Sequence, residues 1–211
     1  MIEWILVLAY KLRLMFRFPS RKGGGCFHGE ESRPNADRGG GMVIAISSGH
    51  GARIPGAVGI LNEVREARRV VKRVAKHLRD MGVTVNEFHD DDSTTVTDNI
   101  SAIVNWHNSR ERDMDVSVHF NAFEHTDQPR GTEVLYRTAR DAAEMVSHAI
   151  AGSAGFRNRG PRFRDNLGFL NRAEKPAILL EVCFVDSATD ARLYNENFDG
   201  ICVAIAEALA A

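Results

Sequence analysis

At 211 residues, 44% hydrophobic and 26% charged, the chain has the make-up of one well-cored globular domain with room for an appendage. A formal net charge of -1 excludes nucleic-acid or anionic-membrane binding driven by overall charge. The three cysteines (Cys26, Cys183 and Cys202) form no C-x-x-C pair and no disulfide framework; Cys183 and Cys202 read as small core hydrophobes.

Residues 1–41 differ from the rest. The first ten are apolar, but Lys11 and Arg13 interrupt them at about half the ~20 residues that span a bilayer, so no stable membrane insertion is expected. Glu3 precedes the apolar run and no Ala-x-Ala site follows, which argues against a secretory signal. Residues 21–41 are glycine-rich and charged and read as a disordered linker. The expected division is a leader over 1–41 and a folded domain over 42–211, with Met42 a candidate first residue.

From Met42 the pattern alternates between strand and helix. Val43-Ile-Ala-Ile is a buried strand that runs into the small polar turn Ser47-Ser-Gly-His50-Gly51. A loop set by Pro55, Gly56 and Gly59 leads to a helix with Val64, Ala67, Val71, Val74, Ala75 and Leu78 on one face. Met81-Gly82 stops it. A second strand spans 83–88, and a helix beginning near Asp98 carries Ile100, Ile103, Val104 and His107 on one side. His107 is expected to be a satisfied core histidine. The strand ending at His119 follows, then a strand over 132–136 and a helix over 139–151 with Ala142, Met145, Val146 and Ile150 inward.

Residues 157–164 read as a basic loop with four arginines, 167–170 as a short strand and 177–182 as a buried one. Ser187-Ala-Thr-Asp190 resembles a capping box opening a short helix, and a last helix covers about 198–209. The expected fold is a single α/β domain: a mostly parallel twisted sheet of about six strands with helices on both faces.

Three apolar strands end in metal-type residues, His50, His119 and Glu181. In open α/β sheets the carboxyl edge of the strands is where ligands bind. Two imidazoles, one carboxylate and an open fourth position form a catalytic zinc set. Glu63 and Glu66, in the first turns of the first helix, are both candidates for the carboxylate, although acidic residues also favour helix N-termini for their dipole. Glu181 follows Ala-Ile-Leu-Leu at the end of a buried strand, a costly place for a carboxylate unless it is paired or used. One reading is a general base that takes a proton from water and later gives one to a leaving amine. The other is a structural ion pair with an arginine of 157–164. Those arginines are either a solvated charge run or a surface facing a carboxylate-rich polymer.

Taken in order, Ser48-Gly-His50-Gly, Pro55-Gly-Ala-Val-Gly59, Asn62-Glu63-Val64, Val116-Ser-Val-His119-Phe-Asn-Ala122 and Pro176-Ala-Ile-Leu-Leu-Glu181-Val-Cys-Phe184 resemble the zinc-dependent N-acetylmuramoyl-L-alanine amidases of the type-3 class, found in bacterial autolysins and phage endolysins. The resemblance covers the chain from Met42 almost to its end. It implies Zn2+ bound by His50, Glu63 and His119, with Glu181 as the catalytic residue. It further implies peptidoglycan as the partner and hydrolysis of the muramoyl–L-alanine amide at the cell wall, outside the membrane or in the periplasm. The chain departs from the family in Cys183, where a glycine is usual after the catalytic Glu-Val, and Cys183 is expected on the same strand face as Glu181. Two other readings compete. A carboxypeptidase-type zinc enzyme expects His-x-x-Glu, but Arg53 stands three residues after His50. An inactive wall-binding module expects losses among the four site positions, and all four are present.

Overall fold

The computed structural model describes residues 41–211, so the leader expected over 1–41 lies, but for Gly41, outside the described residues. A six-stranded sheet runs in the order β2-β1-β3-β6-β4-β5. Its strands are β1 (Val43–Ser48), β2 (Thr84–Phe88), β3 (Met114–Asn121), β4 (Thr132–Tyr136), β5 (Asn158–Phe163) and β6 (Ala177–Phe184). β2, β1, β3 and β6 are parallel; β4 pairs antiparallel with β6, and β5 runs parallel to β4. The N-terminal residues of β4 and β5 therefore lie at the same sheet edge as the C-terminal residues of β1, β3 and β6.

The first helix, α1 (Glu63–Asp80), is capped by Asn62, whose side chain accepts from the Arg65 N–H at 3.0 Å. It ends where Gly82 takes φ +84°, a left-handed geometry that favours glycine. Ala67, Val70, Val71, Val74, Ala75 and Leu78 are buried at three- and four-residue steps. α1 packs on one sheet face with α3 (Arg140–Ala154) and α5 (Ala188–Ala210). The other face carries α2 (Val96–Asn108) and the short α4 (Gly168–Arg172), which share a smaller core of Ile103, Val104, Phe169, Leu170 and Leu179. The expected α/β sheet with helices on both faces is what the chain forms.

His107 is the satisfied core histidine expected. It is fully buried, with Nδ1 2.8 Å from Asp115 Oδ1 and Nε2 2.9 Å from Ser47 Oγ. Arg112, itself buried, grips both Asp115 oxygens. Burial works against the Asp115 charge, but His107 and Arg112 outweigh it and hold the carboxyl below its usual range. This network ties α2 to β1 and β3.

Several expectations are corrected. Residues 157–164 are not a loop: most of them form β5, an edge strand whose outer side needs no partner and so tolerates Pro161, glycine and arginine. Residues 167–170 are not a strand: Leu167 is the residue before α4 and 168–170 are its first residues. The two expected C-terminal helices are present as the two halves of α5, which meet at a kink where Asn197 leaves helical geometry at φ -120°; Ser187 caps the first, accepting from the Asp190 N–H at 3.2 Å. Met145 points outward. Cys183 does not share the face of Glu181. A bulge in the β3/β6 pairing sets His119 opposite Glu181 but Asn121 opposite Phe184. The extra residue turns Cys183 into the α1/α3/α5 core beside Val182.

Candidate active site

The chain leaves β1 to form β2 on one side and returns to form β3 on the other, so the β1/β3 boundary is a topological switch point, where open sheets hold their ligands. His50 follows β1 directly and His119 lies near the end of β3. The Gly49 N–H donates to the Val118 carbonyl at 2.9 Å, which draws the turn against β3. A Cβ on Gly49 would sit 1.8 Å from His119 Nε2, so only glycine lets the two histidines approach. Their ring centroids are 5.1 Å apart.

Glu63 enters from the first turn of α1 and is buried. Its Oε1 lies 3.0 Å from His119 Nδ1 and 3.5 Å from His50 Nε2, and accepts from the Phe120 N–H at 3.1 Å. Its Oε2 accepts from the Ala57 N–H at 2.6 Å. Gly56 allows that approach, because a Cβ there would stand 2.7 Å from the same oxygen. The ligand-type atoms of His50, Glu63 and His119 all lie within 4.8 Å of one another. Glu66, the other candidate, is elsewhere: it is buried against Arg65, Arg69 and the Tyr194 hydroxyl.

Glu181 stands beside His119 in the β3/β6 register, and its Oε2 is buried with no hydrogen-bond partner. The ion pair with a 157–164 arginine does not form at Glu181. Arg159 Nε instead donates to Glu133 Oε2 at 2.7 Å, and the Asn121 side chain donates to Glu133 Oε1 at 3.2 Å. Glu133 lies directly opposite Glu181 across β4/β6. Neither Glu133 nor Asn121 was singled out from the sequence. Asn121 was findable as the residue two on from His119 on the same face, whereas Glu133 needed the antiparallel register.

The electrostatics follow from this crowding. Burial pushes the Glu181 carboxyl up to about 7; the His119 charge opposes that, and Glu63 and Glu133 reinforce it. Burial also works against the Glu63 charge, but the His119 hydrogen bond, both histidines and the Ala57 N–H outweigh it and hold Glu63 low. His50 is lowered, chiefly by burial. Burial also works to lower His119, but the Glu63 hydrogen bond and the Glu181 and Glu63 charges outweigh it and raise that ring, so a bound metal has to displace a proton there. Two imidazoles and a carboxylate around one point, with an uncommitted buried carboxylate oxygen alongside, fit a zinc-type cation.

A family profile described as N-acetylmuramoyl-L-alanine amidase matches residues 44–211, and the chain belongs to this family. It is 31% identical over 161 residues to an uncharacterised 38.4 kDa protein of Clostridium perfringens, a match covering 74% of this chain and 47% of that one. The chain spans about half the length of the curated relatives it matches. Among solved structures it is similar to the catalytic domain of the CD27L endolysin targeting Clostridia difficile, at 25% identity and TM-score 0.73 over 80% of this chain and 96% of that one. It is also similar to the catalytic domain of CwlV, an N-acetylmuramoyl-L-alanine amidase from Paenibacillus polymyxa, at 26% identity and TM-score 0.66 over 80% and 96%.

Proposed function

We propose that this chain, as a member of the N-acetylmuramoyl-L-alanine amidase family, hydrolyses the amide between the lactyl carbonyl of N-acetylmuramic acid and L-alanine in peptidoglycan. His50, Glu63 and His119 hold Zn2+, and Glu181 is the catalytic acid–base. The observation that carries the reading is the meeting of both imidazoles at one Glu63 oxygen beside the unpartnered Glu181 carboxylate.

Bound there, zinc supplies a Lewis acid for the carbonyl and makes water acidic enough to ionise near neutral pH. Glu181, in its carboxylate form, takes the proton from the attacking water and passes it to the departing L-alanine amine. One water is consumed, the C–N bond breaks, and a muramoyl carboxylate and a free amine result. Glu63 spends its second oxygen on the Ala57 N–H and is not free to move a proton. Phe120 N–H and Gly56 fix the carboxylate that faces the histidines. The protein acts at the cell wall, in a phage lysin or a bacterial wall-remodelling role. No helix among the described residues is long and apolar enough to cross a membrane.

The test is product analysis on purified peptidoglycan. New L-alanine amino termini without new reducing sugars are expected; reducing ends without amino termini would replace the amidase reading with a glycosidase.

A further inference from the structure

The arginines of β5 remain unexplained by the chemistry above. Arg159 points to the sheet edge that carries Glu181, and among the described residues its guanidinium donates one hydrogen bond, from Nε to Glu133. Its two terminal nitrogens have no hydrogen-bond partner there, and its plane lies over the Phe184 ring at 5.1 Å. Arg130 approaches from the β3–β4 connection. Its Nε is buried without a partner, one terminal nitrogen holds Glu124 at 2.7 Å, and its guanidinium lies 4.7 Å over Phe123, a ring 73% exposed.

The two arginines share the walls of two cavities of about 320 Å³ each, one of which also reaches Asn121, Phe123 and Phe184. The fold holds them there. Asp190, buried at the start of α5, accepts from the Arg130 and Gly131 N–H groups at 3.1 and 2.8 Å and from Phe184 N–H at 3.3 Å. Gly131, at φ +91°, brings the connection so close to β5 that a Cβ would stand 1.9 Å from the Arg157 carbonyl oxygen.

We infer that the cleft between Arg130 and Arg159 is a carboxylate subsite that selects stem peptides whose residue after L-alanine keeps a free carboxylate over those in which it is amidated. The inference rests on the amidase reading for the direction of the substrate. If Glu181 hands a proton to the L-alanine amine, the amine lies over β6 and the peptide leaves across β4 and β5, away from the metal side at β1 and β3. Arg159 starts two strands from β6, but its Nε reaches back to Glu133 on β4, directly opposite Glu181, so the guanidinium lies between one and two strand spacings, roughly 5–10 Å, beyond Glu181. In a γ-linked stem the free group of the residue after L-alanine is its α-carboxylate, which ends a span of two extended residues, about 7 Å from the amine and within that range. A planar guanidinium with two free nitrogens suits a carboxylate, and the flanking Phe123 and Phe184 rings keep the arginines in place.

The test uses the soluble product peptide L-alanyl-γ-D-glutamyl-L-lysine and its α-amide, titrated into the protein by NMR or calorimetry, so that no turnover is needed. The wild type should bind the free acid roughly tenfold tighter than the amide, the worth of one charge-assisted contact. Arg130→Gln removes the charge while leaving the backbone contacts to Asp190. Arg159→Lys keeps a cation for Glu133 but loses the fork. Each should bring the ratio towards one with the thermal melt of a folded protein. Equal binding of acid and amide by the wild type, or an unchanged ratio in both variants, overturns the subsite. A protein that prefers the acid tenfold yet frees no amino termini from peptidoglycan would keep the subsite and overturn the amidase reading instead.

Discussion

Replacing Glu181 by glutamine should stabilise the metal-free protein, by an amount that grows with pH. The carboxyl is pushed up to about 7 from an ordinary 4.5, chiefly by burial. Between those values the folded protein holds a proton that the unfolded chain has released. Unfolding then gives up a proton, and stability falls as pH rises, by about 1.4 kcal/mol per pH unit. The loss is complete above pH 7, where both states are ionised, and amounts to about 3 kcal/mol at most, because Glu181 keeps partial contact with solvent. Glutamine has the same shape and no charge, so it escapes this cost. Urea unfolding of chelator-treated wild type and Glu181→Gln from pH 5 to 8.5 reads the difference directly. The variant's advantage should grow from under about 1 kcal/mol at pH 5 to about 3 kcal/mol at pH 8. A difference that stays flat with pH, or a variant less stable at pH 8, would refute the claim that Glu181 is a desolvated, unpaired carboxylate.

The same substitution should leave zinc content unchanged while lowering turnover by about 10²–10⁴-fold, measured as amine release from peptidoglycan. Gly49→Ala should fold but lose zinc, because its Cβ would occupy the His119 ring position; metal analysis beside a circular-dichroism spectrum checks this. Asp115→Ala should cost about 3–5 kcal/mol in urea unfolding, since it strands the buried Arg112 charge and the His107 ring. Asp190→Ala frees three backbone N–H groups and should cost about 1–3 kcal/mol, with the hydrogen-exchange protection of Arg130 and Gly131 lost first.

The parts of the fold that could be read in advance are those whose burial writes a period into the sequence. The stripe of α1 is such an element; β1 was legible instead as a continuous apolar run ending in the glycine turn that carries His50, while the switch point at β1/β3 needed the strand order of the sheet. β5 escaped because an edge strand paired on one side needs no apolar alternation, and its arginines, Gly160 and Pro161 imitate a loop. α4 has five residues, too few to show a helical repeat. Cys183 was misplaced because strand parity holds only until a bulge, and nothing in the residue types around it announces one. Glu63 and Glu66 looked alike as first-turn acids. Only the family resemblance, through Asn62-Glu63-Val64, favoured Glu63; the residue types alone did not, and the two separate physically in three dimensions, where one faces the histidines and the other faces Tyr194 and two arginines. The carboxylate opposite Glu181 was hidden for the same reason, because an antiparallel register is a property of the sheet and not of either strand.

The central claim is that His50, Glu63 and His119 hold one zinc ion beside Glu181. Anomalous diffraction at the zinc edge, on crystals of the protein purified without chelator, tests it most directly. The account predicts a single strong peak about 2 Å from one ring nitrogen of each histidine and from a Glu63 oxygen, with Glu181 adjacent but unbound. Zinc held through Glu66, zinc at a site that excludes either histidine, or no zinc in an active protein would contradict it.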